Sequence, residues 1–109
     1  MRIASGLLLS VVLSSASLAA SDEGTIAQLY TDSAGNVAVK LATGFPNSVA
    51  ASECVSANSN GWAGVAVTAN SALKAALLAA KATESVVSLS ILGCEAGGAW
   101  FKVMAVYVK

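Results

Sequence analysis

Hydrophobic positions along the chain alternate over several short runs, and the breaks between those runs are built from glycine, asparagine and serine. A polar lead-in at Ser21 to Gly24 is followed by Thr25-Ile26-Ala27-Gln28-Leu29-Tyr30-Thr31, whose β-branched and aromatic content predicts a strand. Asp32-Ser33-Ala34-Gly35-Asn36 is a dense turn cluster. It leads into Val37-Ala38-Val39-Lys40-Leu41, where Val37, Val39 and Leu41 share one face and Lys40 takes the other, so these two runs predict a hairpin. From Ala42 to Gly61 the chain holds Gly44, its one proline at Pro46 and many Asn and Ser residues, which predicts a long loop with a brief strand around Cys54. Trp62 to Thr68 predicts a third strand, with Ala63, Val65 and Val67 on one face and Trp62, Gly64 and Ala66 on the other. The small residues of that second face predict that something packs closely there.

The period then changes. Asn70 or Ser71 can cap a helix over Ala72 to Ala82, a stretch of strong helix formers with Leu73, Leu77 and Ala80 on one stripe and Lys81 in the last turn. Val86 to Gly93 returns to alternation, with Val87, Leu89 and Ile91 inward and Ser88 and Ser90 outward. Glu95 to Ala99 is a turn, and Trp100 to Lys109 a last strand rich in aromatic and β-branched residues. The expected order is β-β-β-α-β-β, a mostly β domain with one helix.

The amino terminus follows a different logic. Met1 and Arg2 supply positive charge, Leu7 to Leu13 form an apolar run, and small residues follow at the spacing a signal peptidase reads. Residues 1–20 are therefore expected to be a signal peptide, cut after Ala19 or Ala20, leaving a single domain over 21–109 at a periplasmic or secreted address. A spanning helix needs about 20 apolar residues, and this run is shorter and broken by Ser10, Ser14 and Ser15. No membrane span is expected in the mature form. Removing the leader also takes Arg2, which leaves five lysines against six carboxylates. Nothing in that balance suits a phosphate backbone, so no nucleic acid is expected as partner.

A chain this short has a thin core. Its two cysteines, Cys54 and Cys94, are expected to form a bridge, because an exported chain meets an oxidising compartment. Closing a loop of about 40 residues is worth about 4 kcal/mol in the chain-entropy account. The spacing is far from the Cys-x-x-Cys of redox pairs.

Five strands with a helix between the third and fourth is the order of a small OB-fold-like barrel, here with a disulfide closing it. At residue level the chain resembles small exported bacterial proteins similar to the binding (B) subunits of pentameric AB-type toxins, of the subtilase cytotoxin and pertussis kind. The likeness is carried by the turn at Asp32 to Asn36 with Val37 to Leu41, by Cys54 in the central loop, by the helix ending Leu77-Leu78-Ala79-Ala80-Lys81, and by Val86 to Cys94 with the aromatic last strand. It implies a non-enzymatic domain that binds a glycan or another extracellular ligand, as a ring of identical subunits. No sugar-contact motif can be matched onto these positions, so no binding residue is carried across.

Candidate chemistry is sparse. The chain has no histidine, which removes the commonest general base and the commonest zinc ligand. Ser71, Ser85, Ser88 and Ser90 lack a base, and Asp22, Glu23, Asp32, Glu53, Glu84 and Glu95 are scattered without a pairing motif. Gly97-Gly98 precedes a strand, whereas a phosphate cradle opens a helix. No catalytic residue, metal or cofactor is expected. Tyr30, Trp62, Trp100 and Tyr107 are the candidate ligand contacts, since a ring with one polar edge suits a half-exposed site. The plainer role for each is core or barrel-end packing, and for Lys40 and Lys102 a solvated strand face. The expected function is an exported binding module for a glycan or surface ligand. The alternative is a structural or interaction protein that assembles with itself or a periplasmic partner through a sheet edge.

Overall fold

The computed structural model describes residues 19–109, so residues 1–18 of the expected leader lie outside the described residues. The chain runs β1 (Ala20–Thr31), β2 (Val37–Leu41), α1 (Pro46–Ala50), β3 (Ala63–Val65), α2 (Ser71–Thr83), β4 (Val86–Glu95) and β5 (Trp100–Val108). Short 3-10 turns at Val55–Ala57 and Ala96–Gly98 precede β3 and β5.

This corrects the expected mostly β, one-helix, OB-fold-like barrel of order β-β-β-α-β-β closed by a disulfide. The domain is mixed α/β, with a five-stranded sheet and two helices in the order β-β-α-β-α-β-β. The added helix, α1, falls inside the expected loop, and no strand forms around Cys54. Nor does the disulfide link one strand to another. Hydrogen-bonded neighbours run β1-β2-β3-β5-β4, and the first half of β1 pairs with β4. The bridge instead ties the loop after α1 to the end of β4.

Two other boundaries move. β1 begins at Ala20, because the polar lead-in pairs with β4 from Ala20 opposite Ile91 to Thr25 opposite Val86. A register shift after Ile26 then lets the second half of the same strand pair with β2, from Ile26 opposite Leu41 to Thr31 opposite Val37. β3 is shorter than expected and meets β5 through two parallel pairs, Ala63 with Phe101 and Gly64 with Lys102.

The core fills with the inward faces that alternation assigned. Val37, Val39, Leu41, Val87, Leu89 and Ile91 are buried, with Phe101 among the largest fully enclosed side chains. Phe45 packs on Phe101 with ring centroids 5.5 Å apart. Helix α2 turns Leu77 and Ala80 into this core. Its start is set by Asn70, whose side chain accepts from the Ala72 amide at 2.8 Å. Lys74 ties the helix back to the sheet's turns, donating to the carbonyls of Gly35 and Val67 at 2.8 and 3.0 Å.

Candidate binding site on the outer face of the sheet

Side chains on β2 alternate, so Ala38 and Lys40 point away from the core that holds Val37, Val39 and Leu41. Register extends that outward row across four strands, since Tyr30 stands opposite Ala38, Ala38 opposite Gly64, and Gly64 opposite Lys102. Two of the four positions in the row are small. Trp100 uses the space they leave. Its indole lies over Gly64, where an added Cβ would overlap the ring carbons. The same ring meets Tyr30 edge-on, with centroids 5.9 Å apart and planes inclined at 65°. An indole reaching from Gly64 to Tyr30 crosses Ala38, which explains why that outward residue is fully buried.

Tyr30 is held from its polar end. Its hydroxyl donates to Asp32 Oδ2 at 2.9 Å. Asp32 is itself fixed by the turn, accepting from the amides of Ala34 and Asn36 at 3.0 and 3.1 Å and from Asn36 Nδ2 on both oxygens. The hydrogen bonds from Asn36 and then Tyr30 hold the Asp32 carboxyl below its ordinary range, and the bond to Asp32 pushes the Tyr30 phenol up. Gly35, at φ +95°, supplies the left-handed residue this turn needs.

Trp62 reaches the same face by another route. The loop before it is clamped to the turn before Trp100 by the Cys54–Cys94 bridge, by Ser56 Oγ donating to the Gly98 carbonyl at 2.6 Å, and by Asn60 Nδ2 donating to the Ala99 carbonyl at 3.0 Å. The Trp62 carbonyl accepts from the Phe101 amide at 3.0 Å, so the two tryptophans sit at neighbouring strand starts. The Lys40 ammonium stands 5.4 Å from the Trp62 ring centroid, a cation–π contact.

Of the four candidate aromatics, Tyr30, Trp62 and Trp100 come together on this face. Tyr107 does not. It lies opposite Ser88 on the β4·β5 ladder and is 67% exposed. The residues that sequence reasoning did not single out are Lys40 as a ring partner, Asp32 as the anchor of Tyr30, and Ala38 and Gly64 as the floor. The small-residue face of Trp62, Gly64 and Ala66 was the one signal for that floor.

The result is a shallow aromatic platform. The described residues enclose no pocket, and no group of three or more His, Cys, Asp or Glu gathers among them. Among the described residues no helix is long and apolar enough to cross a membrane. No protein-family model, no curated protein and no solved structure matches the chain.

Proposed function

We propose that this chain is an exported, non-enzymatic binding module whose aromatic platform receives a glycan or cell-surface ligand. The observation that carries the reading is the assembly of Tyr30, Trp62 and Trp100 on one outward face, with Trp100 seated over Gly64. Half-exposed indoles held in place lose little freedom on binding, and their faces suit the C–H surface of a sugar ring. The likeness to toxin B subunits agrees with such a role, without a catalytic partner being inferred.

A glycan array probed with the purified protein and with Trp62→Ala tests this. Binding that is lost in the variant, while its thermal unfolding is unchanged, is the expected result. No ligand for the wild-type protein, or equal binding by both, would sink the reading. Export is tested separately by intact-mass measurement of material from outside the cytoplasm, which should start at Ala20 or Ser21.

One observation favours a second reading, a structural or interaction protein that assembles with itself or a periplasmic partner. Leu92, Met104 and Tyr107 expose apolar surface on β4 and β5. Light scattering that gives a stable oligomer, dissociated by Tyr107→Ser with Met104→Ser, would support it. A monomer at all concentrations would remove the self-assembling form.

A further inference from the structure

We infer that the ligand of the platform is a linear polysaccharide bearing carboxylates, bound along its length and not by a chain end. This rests on the binding reading above and adds the ligand's shape and charge.

Shape comes from the spread of the contact groups across the sheet. A site that grips a terminal group is concave and buries most of it. Here the contact groups are spread over four adjacent strands, β1, β2, β3 and β5. With strands about 4.8 Å apart that row spans about 15 Å. A row of this length matches successive units of a chain lying across it.

Charge comes from Lys40 and Lys102. Both lie on the outward face, Lys40 beside Trp62 and Lys102 in register with Gly64 beneath the Trp100 indole. The one ion pair among the described residues is Lys109 with Glu23, so neither platform lysine has a carboxylate within ion-pair distance. The face also carries two carboxylates, and neither is paired with a lysine. Asp32 takes donors from Tyr30, Ala34 and Asn36 in the hairpin turn. Glu95, opposite Trp100 in register, accepts from the Ala96 amide at 3.2 Å. Lys40 and Lys102 thus stand on the face of the indoles with neither paired to a carboxylate of the protein. A chain whose ring faces stack on Trp62 and Trp100 while its carboxylates meet Lys40 and Lys102 satisfies both features at once.

The chain has two tryptophans, and both belong to the platform, so tryptophan emission reports on this site alone. The purified protein is titrated with polygalacturonate, with the same polymer fully methyl-esterified, and with monomeric galacturonate. Polygalacturonate should shift the emission, and its affinity should fall steeply with added salt. The esterified polymer should bind at least about tenfold more weakly, and the monomer should neither bind nor compete. Lys40→Gln with Lys102→Gln should reduce the acid polymer to the level of the ester, while Lys40→Arg with Lys102→Arg retains it. Equal affinity for acid and ester, with the lysine variants unchanged, would overturn the charge inference and leave the aromatic platform standing. Competition by the monomer would overturn the bound-along-its-length part. No response to either polymer overturns the whole inference, and if the glycan array is also blank the binding reading goes with it.

Discussion

Gly64 is the residue on which the platform's geometry turns. Any side chain there would occupy the volume taken by the Trp100 indole. Gly64→Ala should therefore cost about 1–3 kcal/mol through overpacking, because the atoms in the way are a rigid ring and not a flexible tip. Urea denaturation measures that cost, and near-ultraviolet circular dichroism should show the Trp100–Tyr30 pair disturbed. A variant as stable as the parent, with an unchanged aromatic spectrum, would mean the ring does not rest on this backbone. Asp32 makes a second prediction, in pH. Its folded value is lowered by hydrogen bonds from Asn36 and Tyr30, so its contribution is fully present above the ordinary carboxylate value of 3.8 and is lost as pH falls through the lowered folded value. The Tyr30 phenol, raised by the same bond, contributes below its ordinary value of 10.0 and loses that contribution as pH rises through the raised one. Asp32→Asn should flatten the acid limb of the thermal-stability profile and lower ligand affinity near neutral pH by loosening Tyr30. An acid limb identical in the variant would count against this role.

At the scale of elements, α1 shows how a distant residue makes a helix. Its five residues start with Pro46 at the first turn, where a fixed φ helps, but Phe45 offers no capping side chain. The cap comes from β1. Asp22, 2% exposed, points inward opposite Leu89 and accepts from the amides of Asn47 and Ser48 at 2.9 Å each and from Ser48 Oγ at 2.7 Å. Asn47 and Thr43 return the favour, donating to the carbonyls of Ser21 and Glu23 and so covering the edge of β1 that β2 does not reach. Asp22→Ala should cost about 2–4 kcal/mol, since it strands buried donors on Ser48, while Asp22→Asn, which keeps an acceptor, should cost less. Urea midpoints for the two variants check the order. The same geometry explains what local pattern could not reveal. Alternation exposed β2 and β4, and propensity with an Asn cap exposed α2, because those elements are specified within their own residues. A strand that turns an aspartate inward breaks the period, and a helix capped from 25 residues away has no local signature. The three aromatics of the platform were nameable as ring-bearing candidates. Their meeting depends on the register of four strands, which no single segment carries, and Tyr107 shows that an exposed ring of the same chemistry can stand elsewhere.

For the whole molecule, the position of the bridge separates stability from site geometry. Cys54 and Cys94, 40 residues apart, join the loop before β3 to the end of β4, with Cys54 buried. Strand pairing alone already links all five strands, so reduction removes no ladder. What the bridge supplies to stability is a smaller unfolded ensemble, worth about 4 kcal/mol for a loop of this size. That is a large part of what a domain so small can have. What it supplies to the site is one of three ties, with Ser56 and Asn60, between the segment entering Trp62 and the turn entering Trp100. Replacing both cysteines by serine should therefore act on the two tryptophans unequally. Trp100 keeps its seat over Gly64 and its contact with Tyr30, whereas the segment leading into Trp62 loses its one covalent tie and is left with hydrogen bonds, those of Ser56 and Asn60 to the turn and that from the Phe101 amide to the Trp62 carbonyl. Below its lowered unfolding midpoint, the double variant should keep the aromatic circular dichroism of the Trp100–Tyr30 pair while Trp62 becomes more accessible to a soluble quencher. Comparing Trp62→Phe and Trp100→Phe in the bridged and unbridged backgrounds assigns the change to one ring. Equal loosening of both indoles would show that the bridge holds the platform as one body, and unchanged quenching would show that Ser56 and Asn60 suffice without it.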